Sequence, residues 1–248
     1  MRLFKFSLVL GLSLLTLGLT GCQSGAQKST ASFKDNSSQS SHYKAADPDA
    51  AVTAASSSKE AQTYRPDTAQ TRSASYVKSG NLTRNGQYTY DKVGTKLTLN
   101  QVTHPQSTIR SGKLTYKITT VRLIKNTAET AAAKRMAAQA LNLAHLDSPY
   151  YTIQVKFTIY NRGKQALTTD GIKAIRLSAS QQLNASNQLS DASAGKTIPA
   201  NGKLATFATG LASEKTKPSF SSVKIAFAGA YANQKQIVKP TGWLKLNL

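Results

Sequence analysis

Residues 150–160 alternate without a break. Tyr151, Ile153, Val155, Phe157 and Ile159 fall on one side of an extended chain, and Thr152, Gln154, Lys156 and Thr158 on the other. A period of two over this length fits a strand with one dry and one wet face, as in antiparallel sheets. Asn161-Arg162-Gly163 closes it with turn-forming residues. Such a strand needs partners on both edges, so the rest of the chain must supply more strands.

Weaker versions of the same signal follow. Leu97, Leu99 and Val102 mark a strand at 95–103. Leu114, Tyr116 and Ile118 alternate, and Val121 and Leu123 continue in the opposite phase, which predicts a bulge near Thr119 and Thr120. Ile175, Leu177 and Ala179 mark 172–180. A turn at 199–202 precedes 203–211, where Phe207 is expected to point inward. Phe220, Val223, Ile225 and Phe227 mark 219–228, and Trp243, Leu244 and Leu246 a last strand. Seven short strands separated by turn signals predict an antiparallel β-sandwich.

One helix interrupts them. Asn126 or Thr127 is the expected cap, with Glu129 in the first turn and strong helix formers from 131 to 144. Ala132, Met136, Ala140 and Leu143 would form the buried stripe. Lys134 and Arg135 lie largely off it.

The N-terminus predicts an address. Arg2 and Lys5 precede an apolar run over residues 6–19, too short to cross a bilayer but right for a signal peptide. The run ends in Leu19, Thr20, Gly21 and Cys22, which resembles the lipobox of bacterial lipoproteins. The resemblance implies cleavage before Cys22 and a diacylglycerol on its sulfur. Acyl chains contribute about 0.8 kcal/mol per buried methylene, so two anchor stably. Cys22 is the sole cysteine, so no disulfide can brace the fold. The expected location is the outer face of the cell membrane.

Residues 22–75 read as the lipidated cysteine and a disordered tether rich in Ser, Ala and Thr, with too little apolar bulk to offset the entropy of ordering. As a coil it would span about 40 Å, and fully extended about 180 Å. Residues 76–248 make the folded domain. There, 24 Lys and Arg face six Asp and Glu. A field of that sign favours anionic partners and hastens their encounter. Outside a cell these are wall polymers, headgroups and glycans. Lys134, Arg135, Lys156, Arg162 and Lys164 are the candidate contacts. No nucleic acid is expected, because no aromatics interleave with the cations in the manner of single-strand binders.

Two stretches carry a family resemblance. They are 113–123 (KLTYKITTVRL) and 151–163 (YTIQVKFTIYNRG), with the Gly202 turn and the strand bearing Phe220, Val223 and Ile225. Together they resemble an immunoglobulin-like domain of lipoproteins from Gram-positive bacteria, over roughly residues 92–230. The resemblance implies an immunoglobulin-like antiparallel β-sandwich with one inserted helix. It carries no catalytic set.

The residues suggest no enzyme, metal or cofactor. His42, His104 and His145 lack ligand partners at helical spacing. The six domain carboxylates are scattered, and with Cys22 lipidated no thiol remains. Tyr150, Tyr151 and Trp243 could line a carbohydrate site, although Trp243 is expected in the core. The leading expectation is a non-enzymatic surface module for an anionic envelope polymer or another surface protein. The alternatives are an extracytoplasmic small-ligand receptor, which usually has two lobes, and a wall-active hydrolase, which needs convergent carboxylates or a metal.

Overall fold

The computed structural model describes residues 50–52 and 64–248. The expectations for residues 1–21, for Cys22 and for most of the tether lie outside them. The helices are α1 (Thr68–Thr71) and α2 (Ala131–Ala140). The strands are β1 (Tyr88–Tyr90), β2 (Thr95–Thr103), β3 (Thr108–Ser111), β4 (Leu114–Ala128), β5 (Tyr150–Asn161), β6 (Leu167–Thr169), β7 (Ile172–Arg176) and β8 (Gln182–Leu183). They continue as β9 (Leu189–Asp191), β10 (Lys196–Ile198), β11 (Lys203–Ser213), β12 (Ser222–Phe227), β13 (Ala230–Ala232), β14 (Lys235–Val238) and β15 (Leu244–Asn247).

A large antiparallel sheet runs β1-β2-β4-β5-β11-β9, with β3 beside β4. Two small sheets, β15-β12-β7-β8 and β10-β6-β13-β14, supply the opposing layer. The main core lies between, with Tyr116, Ile153, Val155 and Phe157 from the large sheet against Ile175, Ile198, Val223, Ile225, Phe227 and Val238. The protein is therefore an antiparallel β-sandwich with one inserted helix, as expected. Tyr116 stacks on Phe227 at 4.1 Å between centroids, and Phe157 meets Phe227 edge-on at 5.2 Å. Offset and edge-to-face pairs add to simple burial.

The expected bulge is present: the β4–β5 register shifts between Ile118 and Thr120. The shift lets Ile118 and Val121 both face the core despite their odd spacing.

The far face of the large sheet is covered too. Leu97, Leu99 and Ile124 pack with Leu82, Ala50 and Ala51, while Ala137 and Ala138 of α2, with Leu141 just after it, pack with Val52, Tyr150 and Leu211. Several expectations are corrected here. Thr130 caps α2, accepting from the Ala133 N–H, because Asn126 and Thr127 are still paired inside β4. Met136 is buried as expected, but its buried companions in α2 are Ala133, Ala137 and Ala138 rather than Ala132 and Ala140. Phe207 is buried, but β11 pairs it with Lys156, on the face away from Phe157. Trp243 precedes β15 and is 42% exposed. Order also begins before residue 76. Asp67 caps α1 in a reciprocal capping box with Gln70, and the Tyr64 N–H donates to the Lys92 carbonyl at 2.8 Å.

Tyr116 is fully buried and its hydroxyl has no hydrogen-bond partner. Burial alone holds its phenol far above the ordinary range. Tyr116→Phe removes an orphaned polar group and keeps the ring, so we expect thermal unfolding at an unchanged temperature or about 2–4 °C higher. A fall of several degrees would show that the hydroxyl is in use.

Candidate functional site

The five cations chosen from sequence do not converge. Lys134 and Arg135 are exposed on α2, whose buried side packs near Tyr150 at the start of β5. Lys156 sits mid-strand beside a concavity shared with Thr119, Thr206 and Phe207. Arg162 and Lys164 are exposed in the turn beyond Asn161. A strand rises about 3.3 Å per residue, so the two ends of β5 are about 36 Å apart. No single ligand contact joins both ends. Cys22, Leu19, Thr20 and Gly21 lie outside the described residues. Tyr150 and Tyr151 are both buried and alternate across the sheet, so they do not line a site with Trp243.

The register instead assembles an unforeseen surface at the β1 edge. Cross-strand partners share a face. One row is therefore Tyr88, Thr98, Lys125 and Tyr151, and the next is Tyr90, Lys96 and Thr127. Tyr151 belongs to the sandwich core, so this is the core-side face of the large sheet. Toward β1 it emerges from under the opposing layer, and Tyr88, Tyr90, Lys96, Thr98, Lys125 and Thr127 are all half-exposed.

Two more tyrosines join from the stretch before β1. Tyr76 bridges to Tyr88, with ring centroids 5.9 Å apart, and Tyr64 lies 5.9 Å from Tyr90. Tyr88 and Tyr90 meet edge-on at 6.0 Å. Gln70 fixes two rings: its side-chain oxygen accepts from the Tyr64 hydroxyl and its carbonyl from the Tyr88 hydroxyl, both at 2.9 Å. Gly94 makes room for Tyr64. It has φ +95°, and a Cβ there would stand 2.9 Å from the Tyr64 ring and 2.6 Å from the Thr130 methyl. Lys96 Nζ sits 4.2 Å from the Tyr88 centroid, a cation over an electron-rich face. Burial, then the nearby Glu129 carboxylate, push the Tyr90 phenol up to about 12. It is neutral and a hydrogen-bond donor at any physiological pH.

Rings for stacking beside ammonium groups and hydroxyls suit the apolar C–H faces and acidic substituents of a sugar chain. The sequence held a signal for this face, the alternation of Tyr88 and Tyr90 around the buried Thr89. Three residues are too short a run to stand out, and Tyr64 fell within the expected tether.

Among the described residues there is no cluster of three or more His, Cys, Asp or Glu able to hold a metal. His145 and Asp147 pair at 2.8 Å but are 77% and 54% exposed, and the contact with His145 lowers the Asp147 carboxyl below its usual range. Asp191 accepts from the backbone of Ile172 and from Ser193, holding the turn before β7. Burial raises its pKa against those hydrogen bonds. No helix among the described residues is long and apolar enough to cross a membrane.

No protein-family model matches this chain, and no curated protein does. A solved structure described as "a functionally unknown protein from Listeria monocytogenes EGD-e" aligns with a TM-score of 0.40 and 15% identity. The alignment covers 58% of this chain and 85% of that one.

Proposed function

We propose that this chain is a non-enzymatic binding module of the cell surface, held to the outer face of the membrane by lipid on Cys22, and that it takes an acidic glycan chain of the envelope on its tyrosine–lysine face. The observation that carries the reading is the joint placement of Tyr64, Tyr76, Tyr88 and Tyr90 with Lys96 and Lys125 on one sheet surface that, among the described residues, stays partly exposed. A row of half-exposed rings and ammonium groups along strands suits a polymer better than a small molecule, which needs a concave pocket. The lipobox residues Leu19, Thr20 and Gly21 support the address, and the basic excess of the domain supports an anionic partner.

The test uses the full chain and purified acidic polysaccharide over a salt series. Tyr90→Ala should weaken binding by about 2- to 10-fold, the ~0.5–1.5 kcal/mol of an aromatic contact. Lys125→Gln, which leaves the rings in place, should weaken it more at low salt than at high. Two variants that bind as the parent does would remove this surface as the site. Intact-mass measurement of the mature protein checks the anchor: an unmodified sulfur or an uncut leader would remove the membrane address.

A further inference from the structure

A second surface carries charge that packing does not explain. In the sheet β15-β12-β7-β8, Lys224 pairs with Arg176 on one side and with Lys245 on the other. The neighbours Val223 and Ile225, with their partners Leu246 and Ile175, are buried in the core. Lys224 and its partners therefore point outward, and Lys224 and Lys245 are exposed. Strands lie about 4.8 Å apart, so three cations stand in a row about 10 Å long. Like charges placed directly opposite each other destabilise a sheet. Among the described residues no carboxylate is seen paired with any of the three, and the side chain hydrogen-bonded to Arg176 is the neutral Gln182, at 3.1 Å. Arg176 is held over the Trp243 ring, 4.6 Å from its centroid. Ser222 and Asn247, paired with each other, extend the strip as polar neighbours.

We propose that this face binds a linear polymer of phosphodiesters, laid across the strands so that successive phosphates meet Arg176, Lys224 and Lys245. The guanidinium supplies a planar fork for one phosphate, and the two ammonium groups act as point charges for others. A flat row without a cavity fits a chain of anions rather than one small anion. A membrane surface fits less well, because Trp243 is the exposed large apolar side chain at the row and its ring is already engaged by Arg176. The inference uses no residue of the tyrosine face and stands without it.

The probe is poly(glycerol phosphate), which has phosphodiesters but no sugar ring to stack on tyrosine. The full chain should bind it with an affinity that falls steeply with salt. In the triple variant Arg176→Gln/Lys224→Gln/Lys245→Gln, the slope of log affinity against log salt should drop by roughly two, since each lost phosphate contact removes about 0.7–0.9. Lys224→Gln alone should lower the slope by somewhat less than one and melt at the same temperature or higher, because it relieves two like-charge contacts. Tyr90→Ala should leave this binding unchanged, which separates failure here from failure of the glycan reading. A triple variant with the parent slope overturns the proposal, as does a clear preference for anionic phospholipid vesicles over the polymer at equal phosphate.

Discussion

Phe227→Ala should lower the free energy of unfolding by about 3–5 kcal/mol. Phe227 is fully buried, stacks on Tyr116 and meets Phe157 edge-on, so one truncation breaks two aromatic contacts and opens a cavity between the layers. Neighbouring strands cannot close it, because Phe227 is paired into β12 opposite Ile172 and its N–H is held by the Thr241 hydroxyl. The residues around the hole keep their places and lose contacts outright. Domains of this size are stable by only about 5–15 kcal/mol, so the loss takes a large share. The sole cysteine lies at residue 22, and no disulfide limits the unfolded state. Phe227→Leu keeps most of the volume and should cost about half as much. Denaturant unfolding of the two variants checks the order, and an alanine variant within 1 kcal/mol of the parent, by the same scale of cavity costs, would mean that the core relaxes freely.

What could be read beforehand depended on how local each signal was. The strand at 150–160 is legible because its eleven residues contain the whole pattern, and β5 matches it to within a residue. The bulge at Thr119–Thr120 was legible for the same reason, since a phase slip within one run needs no partner to define it. Phe207 shows where this fails. Its burial could be foreseen, but its side of the sheet is set by register against Lys156, far away in sequence. The cap of α2 falls at Thr130 and not at Asn126 or Thr127 because β2 captures the backbone of those two good capping residues first. Strands such as β8, at two residues, carry no periodicity at all.

The candidate surfaces were hidden by that same non-locality. Charge along the chain looks evenly spread, and in sequence nothing distinguishes Lys224 from Lys203. Pairing puts Lys224 between Arg176 and Lys245. The five candidate cations are separated by the fold: Lys134 and Arg135 lie on α2, Lys156 mid-β5, and Arg162 and Lys164 in the turn beyond its end. Tyr64 and Trp243 depart from expectation for one reason: the exposure of an aromatic depends on what lies across from it. For Tyr64 that is Gly94 and Tyr90, and for Trp243 it is Arg176.

Asn161→Asp should damage the fold more than Asn161→Ala, although aspartate is nearly the same shape. Asn161 is 2% exposed at the end of β5. Its amide donates toward the carbonyls of Gln165 at 2.8 Å, Pro199 at 3.0 Å and Ile198 at 3.3 Å, and its oxygen accepts from the Gly163 N–H at 2.9 Å. One side chain thus ties the turn after β5 to the one before β11. Alanine takes the amide away from the Gln165 and Ile198 carbonyls and the acceptor away from the Gly163 N–H, while the Pro199 carbonyl keeps the Gly202 N–H at 3.0 Å; at about 1–3 kcal/mol for an orphaned buried group the loss should be about 1–3 kcal/mol. Aspartate keeps the contact to Gly163 but turns an oxygen toward three carbonyls. Burial and that repulsion both disfavour its charged form, so its folded pKa lies above the unfolded value. The sign follows. The protonated acid can still donate one hydrogen bond, so the Asp variant is least impaired below the unfolded pKa. It then loses stability, relative to Asn161, as pH rises through the folded one. Unfolding of both variants from pH 4 to pH 8 reads this directly. The gap between Asp and Asn should widen toward neutral pH, while Ala against Asn stays flat. A flat Asp curve would mean that the site admits water and that the three acceptors do not depend on this amide.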